Sequence, residues 1–182
     1  MSYARFGLMI LASTLIMYVL MYLNTYAWDH IAWSQTRGWM ALVMGGVMAI
    51  VMMGFMWGMY ERKGLNVAIL LGGAGVAALS LWFVRSQETV DDVAWMKAMI
   101  PHHSIAILTS SEAEIRDPRV RRLADEIIEA QVQEIAEMRA LIAALEAEPV
   151  PADAPVLAPI EAEEVPVEEA VAQALSGDPT AE

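Results

Sequence analysis

The chain has 182 residues, 57% of them apolar, and a formal net charge of −12. That apolar share exceeds the roughly one half usual for a soluble domain, which sets aside a purely soluble reading. Without cysteine there are no disulfides and no thiolate metal sites; Arg119, Arg121 and Arg122 alone do not make a nucleic-acid face.

Neither property is evenly spread. The apolar excess sits in the first half. No Lys or Arg follows Arg139, and ten acidic residues lie from Glu146 onward, leaving 13 acids against 11 bases before them. The acidity therefore belongs to a tail and not to a binding face on the body.

In chain order, residues 1–86 read as a membrane region with three spans, about 6–23, 39–60 and 65–84. Each approaches the ~20 residues that cross ~30 Å of hydrocarbon. Aromatic residues gather near their ends, among them Tyr22, Trp28, Trp39, Tyr60 and Trp82, as interfacial belts require. No A-x-A-like site ends the first run, so it reads as an uncleaved anchor. Arg5, Arg62 and Lys63 lie on one side and Arg37 and Arg85 on the other. The positive-inside rule then puts the N-terminus inside and everything after Arg85 outside, in the periplasm of a bacterial inner membrane.

Residues 88–147 read as a helical hairpin. One arm covers about 90–115. "RDPRV" breaks it, with Asp117 as N-cap and Pro118 at the first position of the second arm. In that arm Val120, Leu123, Ile127, Ile128, Ile135, Met138, Leu141, Ile142 and Leu145 recur at three- and four-residue steps, an amphipathic helix. Two arms enclose little core, so a homo-oligomer is expected, with a dimer favoured. Residues 148–182 hold six of the eight prolines and an acidic run, a disordered tail by composition with room for a short helix near Glu163–Leu175.

The chemistry-bearing stretch is "WMKAMIPHHSIAI". Asp92, Met96, Met99 and His103 follow 4, 3, 4 spacing, one stripe on a regular helix. His102 points about 100° away from it. Pro101 argues for a kink or a new helix start near Met99. Thioether and imidazole together suit Cu(I), and imidazole alone suits Cu(II) or Zn. Against this, Met96 and Met99 also suit simple core packing. On the second arm, Met138 is the best further ligand. Gln131 either sets helix register or orients a ligand, and Glu134 lies beside it.

A second methionine series, Met40, Met44, Met48, Met52 and Met56, steps by four through the second span. A thioether ladder there is the alternative to packing, which Gly45, Gly46, Gly54 and Gly58 favour. No acidic residue lies in any span, which counts against an ion-coupled transporter.

At "MIPHHSIA", followed by "AQVQEIAEM", the chain resembles the domain-of-unknown-function 305 family over about Asp92–Leu145. The membrane half is similar to that of anchored members at "YLNTYAWDHIAWSQTR". The resemblance implies a ferritin-like half-bundle and copper binding outside the cytoplasm. Met96, Met99, His102, His103, Gln131, Glu134 and Met138 fall on the motif. The continuation "SIAILTSSEAE" departs from it: Leu108 and Thr109 stand where an acidic residue and a Met are common, so one thioether is missing.

The expectation is an all-α membrane protein with three transmembrane helices, a copper-binding hairpin and an acidic tail. It is not an enzyme, because no nucleophile set, phosphate loop or carboxylate dyad is present. The competing reading is a metal-free oligomerisation module that recruits a partner.

Overall fold

The computed structural model describes residues 2–151, 153–162 and 165–176. It is all-α, with six α-helices and no strand among the described residues: α1 (Tyr3–Leu20), α2 (Gln35–Phe55), α3 (Lys63–Ser86), α4 (Asp92–Glu112), α5 (Pro118–Ala147) and α6 (Glu168–Ser176). The chain divides into two compact units, Met1–Pro101 and His102–Glu182.

In the first unit, α1, α2 and α3 are each long and apolar enough to cross a membrane. Of the α1 and α3 spans only 6% is buried, against 28% for α2, so the outward faces of α1 and α3 need an apolar solvent. The second helix starts four residues earlier than the apolar run, because Ser34 caps it: its Oγ accepts the Arg37 N–H at 3.2 Å. The third ends at Gln87, whose left-handed φ of 53° closes the helix.

α2 packs against both neighbours, and two adjacent glycines make this possible. A Cβ on Gly45 would lie 2.6 Å from Thr14 Oγ1 of α1. A Cβ on Gly46 would lie 2.6 Å from the Gly73 carbonyl of α3, and one on Gly73 2.8 Å from the Gly46 carbonyl. Successive helical residues point about 100° apart, so one dipeptide serves both seams. Among lipid tails, close backbone approach replaces the hydrophobic drive as the source of helix association.

Each end of this bundle is tied by polar groups. At one end Asn66, fully buried, accepts the Tyr3 hydroxyl at 2.7 Å and donates to the Tyr60 carbonyl at 3.3 Å. Lys63 Nζ donates to the carbonyls of Trp57 (2.7 Å) and Tyr60 (2.9 Å), and Phe6, Met53 and Tyr60 pack beside it as a buried cluster. At the other end the Tyr22 hydroxyl accepts the Ser34 N–H at 3.1 Å. Arg37 donates to the Met21 carbonyl at 2.6 Å with its guanidinium 4.4 Å over the Tyr22 ring.

α4 starts at an unforeseen cap: Asp91 Oδ1 accepts the Ala94 N–H at 2.7 Å. It then runs unbroken to Glu112, so the new helix start expected near Met99 does not occur. Pro101 removes one donor from the ladder, but its ring is fully buried, with Ile100 and Ser104 buried beside it. Packing holds the helix through the proline.

In the second unit the later half of α4 and α5 run antiparallel, with Arg121 of α5 donating to the Ser110 carbonyl at 2.9 Å. Asp117 caps α5 as expected, its Oδ1 accepting the Arg119 N–H at 2.8 Å, and Pro118 takes the first position. The apolar stripe of α5 is only partly used. Ala124, Ile135 and Met138 are buried, whereas Val120, Leu123 and Leu141 are about half exposed. Beyond α5 the described residues form little regular structure before α6, and the parts of the expected disordered tail at 152, 163–164 and 177–182 lie outside the described residues.

Candidate metal centre

The buried face of α4 is Met96, Ile100, Ser104 and Ile107, at 4, 4, 3 spacing. This is rotated from the stripe read in the sequence. Asp92 is exposed, Met96 is sealed at 4% exposure, and Met99 and His103 lie half-buried along the edge of that face. The reason is that Ile100 and Ile107 bury better than Asp92 and His103, so they set which way the helix faces.

His103 sits where α4 and α5 meet. Its Nδ1 is 3.0 Å from Glu134 Oε2, and the same oxygen accepts the Gln131 side-chain N–H at 3.0 Å. Gln131 and Glu134 are three residues apart on α5 and share a face. Gln131 thus steadies the carboxylate, not the imidazole directly. The His103 N–H direction misses Glu134: the buried Nδ1 has no aligned hydrogen bond despite its short distance to Oε2. Two donors on one cation, each at ~2.1 Å, stand about 3.0–3.4 Å apart. The His103–Glu134 separation is that of an ion pair and also falls within the spacing of two ligands on one cation.

Burial pushes the His103 imidazole below its ordinary value of 6.5; the Glu134 carboxylate opposes this and His102 adds to it. The ring is therefore neutral at neutral pH, the form that coordinates metal.

The other sequence candidates are less converged. His102 is exposed, and its ring centroid is 6.3 Å from that of His103, at 58° between planes. Met138 is buried at 6% exposure beside Ile135 on the inner face of α5. Among the described residues no three His, Asp or Glu side chains converge on one point. What the chain assembles is one imidazole and one carboxylate, with thioethers nearby in sequence on the same helix. Ser104, fully buried next to His103, was not singled out; its place between Ile100 and Ile107 at helical spacing was the available signal.

Fold and site define a chain with three membrane-length helices ahead of a helical hairpin that carries a half-buried His–Glu contact. It belongs to the family described as domain of unknown function (DUF305), whose family model matches residues 86–177. An uncharacterized protein of Acanthamoeba polyphaga mimivirus is 30% identical over 142 residues, covering 74% of this chain and 91% of that protein. Residues from 86 onward make up little more than half of the chain, so this similarity reaches back into the membrane helices. No solved structure matches.

Proposed function

We propose that this chain is a metal-handling protein anchored in a bacterial inner membrane, whose hairpin binds copper on the periplasmic side without catalysing a reaction. The observation that carries the reading is the neutral, half-buried His103 Nδ1 set 3.0 Å from Glu134 Oε2 without an aligned hydrogen bond. An imidazole nitrogen and a carboxylate oxygen suit Cu(II). Met99, four residues before His103 on the unbroken α4, adds a soft donor type that favours Cu(I) or Ag(I). Met96, His102 and Met138 complete the family motif, but their burial or exposure makes them weaker ligands than His103 and Glu134. The orientation rests on Arg5, Arg62 and Lys63 against Arg37 and Arg85.

The test is titration of the full chain in detergent with Cu(II), and with Cu(I) under reducing conditions. His103→Ala and Glu134→Ala each weaken Cu(II) binding by about tenfold or more, the usual scale for a lost ligand or its partner. His102→Ala has a smaller effect. Equal copper retention by wild type and both variants overturns the reading.

One observation favours a second reading. Val120, Leu123 and Leu141 leave an apolar stripe exposed on one flank of α5. A metal-free association module uses that stripe, and replacing Leu123 and Leu141 with Gln then lowers the oligomer mass while copper has no effect on it.

A further inference from the structure

The membrane unit carries two recesses that meet at one residue. The first is an apolar groove of about 490 Å³ between α1 and α3, floored by α2. It runs along α1 from Tyr3 to Thr14, roughly 16 Å at the rise of an α-helix, close to the ~15 Å depth of one leaflet. Gly7 and Gly72 line it, and a Cβ on either would meet open space, unlike the tightly packed Gly45, Gly46 and Gly73. The second is a polar recess of about 490 Å³ lined by Ser2, Tyr3, Ala4, Met59, Glu61 and Arg62. Tyr3 walls both.

The lining selects the occupant of the groove. A hydrocarbon chain meets mostly apolar side chains and glycine backbone here, and the Thr14 and Tyr3 hydroxyls at the wall are already donated to the Ile10 carbonyl and to Asn66. Charge selects the occupant of the recess. Glu61 and Arg62 are both exposed, and among the described residues neither forms an ion pair, with each other or elsewhere. Lys63 differs, since its ammonium is taken up by the carbonyls of Trp57 and Tyr60. One open cation and one open anion side by side match a headgroup that carries both signs.

We propose that α1–α3 hold one zwitterionic phospholipid with a primary ammonium headgroup, an acyl chain in the Gly7–Gly72 groove and the headgroup on Glu61 and Arg62. The phosphate takes the Arg62 guanidinium, which offers paired N–H donors. The ammonium donates to the Glu61 carboxylate. A quaternary choline has no N–H to donate, and an anionic glycerol headgroup leaves Glu61 facing like charge. This site is separate from the proposed metal function and stands without it.

The experiment is native mass spectrometry of the full chain, stripped of lipid in detergent and offered phosphatidylethanolamine, phosphatidylglycerol or phosphatidylcholine with identical acyl chains. The wild type retains one phosphatidylethanolamine, at roughly tenfold lower concentration than either of the others. Gly72→Phe fills the groove and abolishes retention of all three. Glu61→Gln keeps retention but loses the preference over phosphatidylglycerol, and Arg62→Gln weakens all three. Helicity by circular dichroism checks each variant, and Gly7→Leu replaces Gly72→Phe if the latter does not fold. Equal retention of the three lipids by the wild type overturns the proposal, as does undiminished retention when the groove is filled. A lipid-free dimer that Gly72→Phe abolishes also overturns it, because a second copy then occupies the groove.

Discussion

Gly46 and Gly73 meet backbone to backbone: a Cβ on the first would stand 2.6 Å from the carbonyl oxygen of the second. At Gly45 the obstacle is instead the Thr14 hydroxyl, also at 2.6 Å, which is a side chain. The two neighbouring glycines therefore fail differently when replaced.

Gly46→Ala pushes α2 and α3 apart and destabilises the membrane unit by about 1–3 kcal/mol, the range for overpacking a tight contact. Gly45→Ala is also destabilising, but Thr14→Ala made alongside it restores most of the loss. The same second change does nothing for Gly46→Ala. Unfolding of the full chain in mixed detergent micelles, followed by circular dichroism, measures all four variants, and rescue of both glycine variants alike would contradict the separate seams.

His103 gives the hairpin a pH dependence of definite sign. Its imidazole titrates below the ordinary 6.5 in the folded chain because burial disfavours the charged ring. The unfolded chain then binds more protons in the interval beneath 6.5. Stability from this residue is complete above that value and is lost as pH falls through the lower folded value. His103→Gln, which cannot charge, flattens the stability profile in that window. Copper binding weakens over the same interval, since protons compete for the ligand. Thermal melts of the metal-free chain across pH 7 to 4.5, with and without the substitution, read the effect directly.

Asp117 behaves oppositely in kind. Hydrogen bonds from the Arg119 side chain and backbone N–H lead the causes that lower its carboxyl from 3.8 to about 2. Its contribution to α5 is present above the unfolded 3.8 and is lost as pH falls through about 2. Asp117→Ala therefore lowers the helicity and melting temperature at neutral pH, and the difference from wild type closes in strong acid. A gap that persists unchanged at pH below about 2 rules out the charged cap as its source.

Much of this architecture was legible because it rests on short-range rules. Three apolar runs of membrane length gave α1–α3, and the Asp117–Pro118 pair gave the start of α5 to the residue. What escaped were features decided by competition between neighbours. Ser34 lies in a polar connector, yet its hydroxyl extends α2 past the apolar run. Pro101 signals a break by local propensity, but the burial of Ile100, Pro101 and Ser104 outweighs the missing hydrogen bond. The same apolar residues turn α4 so that Met96 points inward and His103 reaches only the edge. Helical spacing places side chains on a common stripe; it does not say which stripe the rest of the molecule covers. The His103–Glu134 pairing was likewise hidden, because it depends on the register of two helices and not on either sequence alone.

The Tyr22 hydroxyl and the Arg37 guanidinium fasten the end of α1 straight to the beginning of α2. The stretch at positions 24–33 is thereby relieved of spacing duty. Its length becomes a free variable: lengthening it adds little closure entropy and leaves the anchored helices where they were. Sequence drift in this connector is constrained where Trp33 rests 5.8 Å from the Tyr18 ring of α1, and its remaining length is open to serve contacts beyond the ends of the helices.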